Sequence, residues 1–269
     1  MEYGFNINYF ARTIGMKKAA ELIAKAGFTC LHYTPSVMED NWEQDMKESL
    51  KVFADYGLTV HQTHAPFNRY GRYKGMHKLC LDRCAEATAF MGAKYMVTHG
   101  DEFDFVNLTF SPEAAKAYNH DLFLPYVEHG EKNGYKVAFE TLFEDWDRRR
   151  YTSDAGELLD LITSFDNENV VCCWDSGHGN VSFGHQAPEL IKKFGSLIQC
   201  THIHDNVGID SHQIPMTGGI DWKAFSDAFK AIGYHGIISI EYAHGNMPEH
   251  LVEDFAKLTY QTVKHIWSL

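Results

Sequence analysis

The sequence lacks several patterns that would place the protein in other classes. Its 269 residues contain no GxGxxG or GxxxxGKS/T phosphate-binding loop and no linker rich in proline, glycine or serine. No apolar run approaches the roughly 20 residues that a membrane-spanning helix needs. The first residues also lack the basic and apolar regions of a signal peptide. We therefore expect one domain over residues 1–269, located in the cytoplasm, with no membrane partner.

Positive charge and cysteine motifs are scarce as well. The 24 Lys and Arg residues face 36 Asp and Glu residues, so the formal net charge is −12. This balance disfavours a broad electrostatic grip on nucleic acid, and no nucleic-acid partner is expected. Dense basic charge is confined to residues 68–74 and 148–150; we interpret the second run as a solvated loop, with a phosphate contact as the alternative. The six cysteines contain no CxxC pair, so we expect them to be reduced and buried.

What the sequence does contain is a regular alternation of short apolar runs and longer helical patterns. The predicted strands cover residues 3–8, 29–32, 58–64, 94–99, 136–140, 170–175, 197–204 and 236–241. The predicted helices cover residues 16–26, 42–56, 74–91, 111–133, 154–163, 188–194, 222–232 and 248–267. Eight strand–helix units predict an α/β fold of the (β/α)8 TIM-barrel type. A doubly wound sheet is the alternative, but it would need the phosphate-binding loop that is missing.

Six of the predicted strands carry a residue that can bind a metal at or near their carboxyl end. These residues are His64, His99, Glu140, Asp175, His202 and Glu241, and they follow one another at intervals of 27 to 41 residues. Each interval has the length of one strand–helix unit. Because the carboxyl ends of all strands in a barrel face the same mouth, we expect these side chains to form one site.

The predicted core of that site consists of Glu140, Asp175, His202 and Glu241. Three carboxylates and one imidazole suit one divalent ion such as Mn²⁺, Mg²⁺ or Co²⁺, with Zn²⁺ as a further option. If the two glutamates lie on opposite sides of a bound sugar, one can take a proton from carbon while the other returns it. The metal would polarise the carbonyl and stabilise an enediolate. For either glutamate alone, a salt bridge at a strand end is the alternative.

Further residues are predicted to bind substrate around this core, namely His64, His99, His178, His204, Asp210 and His212. Gly177 lets the chain turn so that His178 returns to the mouth, where it could bind a sugar hydroxyl or a second metal; a solvated loop histidine is the alternative. Asp210 and His212 lie in a long loop. They could be metal ligands, or a rim pair that caps the helix beginning at Trp222. His64 and His99 could bind metal or donate to substrate.

Seven motifs together resemble the xylose-isomerase-like TIM-barrel superfamily, which groups sugar phosphate isomerases and epimerases with family-2 AP endonucleases. They are HAPF at 64–67, THGD at 98–101, FET at 139–141, WDSGH at 174–178, HIHDN at 202–206, DSHQIPMTGGIDW at 210–222 and SIEY at 239–242. The resemblance implies a divalent metal held by Glu140, Asp175, one histidine of HIHDN and Glu241. It also implies that the two glutamates are the acid/base pair and that His178 binds substrate. By the H-x-x-acid spacing we assign the ligand as His202, with His204 as the alternative.

The function that the resemblance implies is a metal-dependent sugar or sugar phosphate isomerase or epimerase, acting on a small-molecule sugar through a metal-bound enediolate. Ketose 3-epimerases of this type carry an arginine shortly after the metal histidine, whereas residues 207–210 contain none, so no tagatose- or psicose-type activity is assigned. The alternatives are a sugar dehydratase or lyase, a non-catalytic binding module, and an endonuclease-IV-like zinc phosphodiesterase at abasic DNA sites. The three-zinc pattern of that last family matches His64, His99, Glu140, Asp175, His178, His202, Asp210, His212 and Glu241. Barrels of this kind often pair, so the resemblance allows a homo-oligomer, but the sequence does not determine the oligomeric state.

Overall fold

An eight-stranded parallel sheet forms the centre of the protein in the computed structural model, which describes residues 1–66, 73, 75–101, 111–144, 150–242 and 247–269. The strands are β1 (Tyr3–Asn6), β2 (Cys30–His32), β3 (Thr59–His64), β4 (Tyr95–Thr98), β5 (Lys136–Glu140), β6 (Val170–Asp175), β7 (Ile198–His202) and β8 (Ile238–Ile240). Neighbours follow in chain order, and β1 pairs with both β2 and β8. A parallel bridge between Ile203 and Ile240 joins β7 to β8, so the strands form a nearly closed barrel. The predicted TIM-barrel fold is confirmed.

Helices connect the strands within the described residues. They are α1 (Ile7–Ile14), α2 (Met16–Ala26), α3 (Trp42–Asp55), α4 (His77–Met91), α5 (Pro112–Asn133), α6 (Ala155–Ser164), α7 (Ser176–Phe183), α8 (Ala187–Phe194), α9 (Trp222–Ala231) and α10 (Glu249–Ser268). Gly27 and Gly134 end α2 and α5 in the left-handed conformation, with φ of 110° and 81°, where a residue without Cβ is favoured. Among the described residues, no helix is both long and apolar enough to cross a membrane.

The structure contains short helices directly after β1 and β6, which the sequence analysis did not predict. Residues 3–8 are predicted as one strand, but β1 ends at Asn6, whose side chain accepts a hydrogen bond from the backbone N–H of Asn8 and begins α1. Similarly, Asp175 ends β6 and accepts from the N–H of His178 at 2.7 Å, which begins α7. Both side chains satisfy N–H groups that a first helical turn leaves unpaired. α7 contains two glycines and almost no apolar periodicity, whereas α1 is amphipathic but only eight residues long.

The interior of the barrel is filled by small side chains beneath the mouth. Ala138 and Cys173 precede Glu140 and Asp175 by two residues, so alternation along each strand places them on the same inward face. They form a buried cluster with Val97, Val171 and Cys200, separate from the larger core between strands and helices. All six cysteines are buried and free of disulfides, as predicted. The inner cluster supports a layer of polar residues at the carboxyl ends of the strands.

Candidate metal centre

Four side chains from four strand ends converge around the Nδ1 atom of His202. Glu140 Oε1 lies 2.8 Å from this nitrogen, Glu241 Oε2 lies 2.7 Å away, and Asp175 Oδ2 lies 4.0 Å away. One ligand atom from each residue falls within 4.8 Å of the others, and all four side chains are buried. We call these residues the central group. Three carboxylate oxygens and one imidazole nitrogen form a donor set that fits a hard or borderline divalent ion.

Charges of opposite sign stabilise one another within the central group. Burial opposes ionisation of Glu140, but the His202 and His99 imidazoles outweigh it and hold its pKa well below the usual value. Burial likewise opposes ionisation of Glu241, and His202 lowers the pKa of this carboxyl well below its usual value. The two glutamates in turn raise the pKa of His202 well above its usual value, against the effect of burial. Three carboxylates therefore concentrate negative charge where a divalent cation would neutralise it.

Glu140 also connects the central group to a second group of potential ligands. Its Oε2 atom lies 2.9 Å from His64 Nε2 and 2.8 Å from His99 Nε2, while its Oε1 atom faces His202. Burial lowers the pKa of His99 to about 4, although the Glu140 carboxylate beside it favours the charged form. His64, His99 and Glu140 place their ligand atoms within 4.8 Å of one another.

A third group lies beyond Asp175 and consists of His178, His204, Asp210 and His212. His204 Nε2 is 3.0 Å from Asp175 Oδ2, and the His204 ring stacks on the His212 ring at 3.9 Å. His212 Nε2 is 3.3 Å from Asp210 Oδ1. Burial disfavours both charges of this pair, but their attraction outweighs it, so the pKa of Asp210 falls to about 2 and that of His212 rises to about 10.

The alternative that Asp210 and His212 cap the helix at Trp222 is wrong. Asp221 caps α9, because its Oδ1 atom accepts from the N–H of Ala224 at 3.0 Å. Asp210 and His212 instead face the barrel mouth, where His212 Nδ1 donates to the carbonyl oxygen of Glu241 at 3.1 Å. This contact joins the third group to the end of β8.

His178 is a buried residue of the mouth and not a solvated loop histidine. It is 5% exposed, and it lies in the first turn of α7. Its Nδ1 atom lies 2.8 Å from the carbonyl oxygen of Thr141, which can only accept, so Nδ1 donates. In neutral imidazole the Nε2 atom is then an acceptor, and it lies 3.9 Å from Asp210 Oδ2. His178 can therefore accept a hydrogen bond from a substrate hydroxyl or bind a metal.

The two histidines of HIHDN face different groups. His202 is the last residue of β7 and contributes to the central group, whereas His204 lies beyond the strand and contacts Asp175 and His212. The predicted strand over residues 197–204 is therefore two residues too long at this end. This geometry supports His202 as the ligand of the central group, and His204 becomes a candidate for the third group.

Two residues that the sequence analysis did not assign lie in the site. Asn6 Nδ2 donates to Glu241 Oε1 at 3.1 Å and so fixes the orientation of that carboxylate. The His32 ring stacks on the His202 ring at 4.9 Å, and His32, His202 and Glu241 form a further set of neighbouring ligand atoms. Asn6 and His32 are the last residues of β1 and β2. His32 also ends its predicted strand, so the strand-end rule would have found it, whereas Asn6 lay two residues inside the predicted strand over residues 3–8.

The close approach of Gly177 to His204 leads to a stability prediction. A Cβ atom at Gly177 would overlap the His204 ring, including Cε1 and Nδ1. We expect Gly177→Ala to displace His204 from Asp175 and to lower the free energy of unfolding by about 2 kcal/mol, measured by urea denaturation.

Gly179→Ala is the matched control for this substitution in the same helix. The nearest atoms to a Cβ at Gly179 belong to the Trp174 ring, at 3.2–3.4 Å, and alanine favours a helix over glycine by up to about 1 kcal/mol. Equal losses of stability in the two variants would show that the contact with His204 is not the cause.

A cavity of about 770 Å³ opens above the central group. Residues of all three groups line its floor, and its walls include Tyr9, Arg12, Met38, Tyr73, Phe143 and Arg150. The sequence also predicts aromatic residues in the loops at this mouth that could stack on a sugar. Two of them, Tyr70 and Trp146, lie outside the described residues. The volume falls in the range of cavities that enclose a small organic ligand.

Arg150 belongs to the wall of this cavity, which contradicts its interpretation as part of a solvated loop. It is 3% exposed, and its guanidinium lies over the Phe143 ring, 5.3 Å from the ring centre. The carbonyl oxygen of Arg150 accepts from both the N–H and the hydroxyl of Ser153, just before α6. Residues 148 and 149 lie outside the described part of the chain. A buried positive charge therefore faces the same space as the candidate metal ligands.

Comparison with known proteins places this geometry in a family. The family described as xylose isomerase-like TIM barrel matches residues 20–261. The uncharacterized protein y4fM of Sinorhizobium fredii is 24% identical over 271 residues, covering 84% of this chain and 81% of that protein. A D-tagatose 3-epimerase-like protein shares the fold with a TM-score of 0.80 at 21% identity, covering 100% of this chain and 97% of that one. D-Psicose 3-epimerase of Clostridium cellulolyticum H10 also reaches 0.80, at 16% identity and 99% coverage of each chain. The chain belongs to the xylose isomerase-like TIM barrel family.

Proposed function

We propose that the protein is a metal-dependent sugar or sugar phosphate isomerase or epimerase, which moves a proton between neighbouring carbons through an enediolate. The observation that carries the proposal is the placement of Glu140 and Glu241. They reach His202 from β5 and from the end of β8, two strands that β6 and β7 separate, and both line the cavity. A ligand in this cavity can therefore contact one carboxylate on each side. The names of two structural neighbours, a D-tagatose 3-epimerase-like protein and a D-psicose 3-epimerase, agree with this chemistry.

The two glutamates have the properties of an acid/base pair. Both are held ionised by the neighbouring imidazoles, so either can accept a proton from the carbon beside a carbonyl group. Because both start ionised, the opposite glutamate must first take up a proton, from solvent or from the glutamate that removed it from carbon. Delivery of that proton to the other face of the same carbon inverts it, and delivery to the neighbouring carbon isomerises the sugar. Asn6 holds Glu241 Oε1, which leaves Oε2 towards the central group. A divalent ion held by the central group would supply the Lewis acidity that makes the C–H bond acidic.

His178 is proposed to orient the substrate. Its Nε2 atom is an acceptor, since Nδ1 donates to Thr141, and it lies on the cavity wall beside Phe143, with ring centres 4.9 Å apart. A sugar hydroxyl can donate to Nε2 while an apolar face of the sugar packs on the phenyl ring. This arrangement would position the reacting carbon relative to the glutamates.

Solvent exchange tests the proposed reaction. When the protein, loaded with Mn²⁺, is incubated in D₂O with a panel of ketoses and ketose phosphates, we expect deuterium at the carbon beside the carbonyl of the true substrate. Mass spectrometry measures the incorporation, and it also separates a dehydratase, whose product is lighter by one water. Protein stripped of metal is the control. Product formation without deuterium in either substrate or product would contradict transfer through exchangeable carboxyl groups.

A phosphodiesterase with several zinc ions is the second candidate function, and one observation favours it. The two oxygens of Glu140 face different groups, Oε2 towards His64 and His99, and Oε1 towards His202, as in a carboxylate that bridges two ions. Elemental analysis distinguishes the candidates. One ion per chain and no nicking of abasic duplex DNA are expected for the sugar enzyme. About three zinc ions per chain, together with nicking of that DNA, would overturn the proposed sugar isomerase or epimerase activity.

A further inference from the structure

Asp205 is a fully buried carboxylate to which the proposed reaction gives no role. Its two oxygens accept four hydrogen bonds from the segment that follows it. Oδ1 accepts from the N–H groups of Asn206 at 2.9 Å and Ile220 at 3.3 Å, and Oδ2 accepts from the N–H of Met216 and the Nε1–H of Trp222, both at 2.9 Å. This carboxylate therefore holds both ends of the loop over residues 206–221, which we call the β7–α9 loop.

The backbone of Asp205 binds the middle of the same loop. Its N–H donates to the carbonyl oxygen of Gln213 at 2.9 Å, and the N–H of Gln213 donates back at 2.8 Å, which forms an antiparallel bridge. Gly218 also approaches closely, since a Cβ atom there would overlap Asp205 Oδ1 and the carbonyl oxygen of Asn206. Glycine permits this approach because it has no side chain. One residue at the end of β7 thus fastens the loop along its whole length.

Two residues of the β7–α9 loop adopt a conformation that side chains with a Cβ disfavour. His212 and Met216 have φ of 44° and 76°, in the left-handed region. Both are next to a bond with Asp205, because Met216 donates its own N–H to Oδ2 and Gln213 directly follows His212. Strained backbone of this kind persists only where the surrounding structure holds it. The bonds to Asp205 therefore hold His212 in its observed conformation.

This conformation directs two polar side chains into the barrel mouth. The His212 ring stacks on the His204 ring at 3.9 Å, and its Nδ1 atom donates to the carbonyl oxygen of Glu241 at 3.1 Å. Asp210 Oδ1 lies 3.3 Å from His212 Nε2, and its Oδ2 lies 3.9 Å from His178 Nε2. Asp210 and His212 line the cavity together with Glu241. A shift of the loop would move both side chains relative to this glutamate.

We propose that Asp205 is a positioning residue, which holds Asp210 and His212 in place for the substrate before it binds. The effect on substrate rests on the proposed function, whereas the restraint of the loop does not. A substrate that has to order the loop loses binding free energy, so release of the loop weakens binding. Glu140 and Glu241 reach the cavity from β5 and from the end of β8, outside the loop. Loss of Asp205 should therefore raise KM much more than it lowers kcat.

Hydrogen–deuterium exchange of Asp205→Asn, loaded with Mn²⁺, tests the restraint without any turnover. Asparagine has one acceptor oxygen and an NH₂ group, so two of the four donors lose their acceptor. Exchange in peptides from residues 206–221 should become about 10- to 100-fold faster, as expected for a lost hydrogen bond to a charged group, and that in α3 and α5 should stay within about twofold. With the true substrate, KM should rise about 10-fold and kcat should change by less than about threefold.

Asp221→Asn is the matched control, because it makes the same chemical change at an exposed carboxylate of the same loop. Asp221 accepts from the N–H of Ala224 as the cap of α9, and asparagine caps a helix about equally well, so both measurements should keep wild-type values. Gly218→Ala is a second variant, which displaces Asp205 without removing its charge. It should reproduce the faster exchange of the loop, and it supplies the test if Asp205→Asn does not fold.

Three results would overturn the proposal. The first is wild-type exchange of the β7–α9 loop in the folded variant, and the second is an equal acceleration in α3 and α5, which would show a general loss of stability. The third is a KM that stays at the wild-type value although the loop exchanges faster. Faster exchange confined to the loop, in a protein whose wild type turns over no sugar, would support the restraint and reject the proposed reaction alone.

Discussion

Replacing Glu140 or Glu241 by glutamine should abolish sugar turnover while the barrel stays folded. Glutamine keeps the volume and one oxygen of the side chain but cannot accept a proton from carbon. Both carboxylates lie within 2.8 Å of His202 Nδ1, so each substitution also removes a negative charge from the central group. We expect kcat to fall by at least about 10³-fold, in the upper range for loss of a general acid or base. The measurement is steady-state turnover of the true substrate, with circular dichroism to show that the fold remains.

Glu43→Gln is the matched control for these two variants. Glu43 pairs with Lys47 on the exposed surface of α3, so the same chemical change there should leave turnover within a factor of two or so of wild type. If both Glu140→Gln and Glu241→Gln keep near wild-type turnover, the proton-transfer mechanism is wrong. Solvent exchange that survives in only one of them would identify the other glutamate as the group that removes the proton.

Removing the divalent metal should eliminate turnover and lower the melting temperature by about 10 °C. A ligand present at about 1,000 times its dissociation constant stabilises the folded state by roughly 4 kcal/mol. Each kcal/mol moves the melting temperature of a domain of this size by about 2–4 °C. The physical cause is that three buried carboxylates lose the cation that compensates them, and the His202 imidazole offsets their charge only in part. Thermal unfolding with and without a chelator, and readdition of Mn²⁺, measure the effect.

His202→Gln provides the control for metal removal. It replaces the nitrogen at the centre of the group, so its melting temperature should no longer respond to the chelator or to added Mn²⁺. A response of wild-type size in this variant would indicate that the metal binds at another group, such as the third group with its three histidines. An unchanged melting temperature of the wild-type protein after complete removal of metal would contradict the central group as a metal site.

The strand-end positions of the site residues were predictable because a parallel barrel gathers the carboxyl ends of its strands. His64, Glu140, Asp175 and His202 are indeed the last residues of their strands. The same reasoning should have included His32, which ends its predicted strand. Asn6 was not recognisable as a strand end, because the strand was predicted to continue to residue 8. The cap that Asp175 provides to α7 was also not predictable. Asp175 can act as a cap only because α7 follows it, and this helix of eight residues has little apolar periodicity from which it could be predicted.

The surroundings of Arg150 show the limit of local reasoning more clearly. A run of three arginines in a loop is typical of a solvated surface, and nothing in its immediate sequence indicates burial. The guanidinium contacts Phe143, seven residues earlier, and both side chains line the cavity at the barrel mouth. Burial of a charge depends on what the rest of the chain places around it.

The alternation of eight apolar runs with helical patterns was enough to predict the barrel. The residues at the ends of the predicted strands were enough to predict which side chains lie at its mouth, because both patterns are properties of short segments. Only the tertiary structure decided which atoms meet. It placed His202 Nδ1 between Glu140 and Glu241, turned His204 towards Asp175 and His212, and directed the two oxygens of Glu140 to different groups. These pairings join residues up to 76 positions apart, and they depend on barrel closure and on side-chain packing across the mouth. Local sequence contains no information about either.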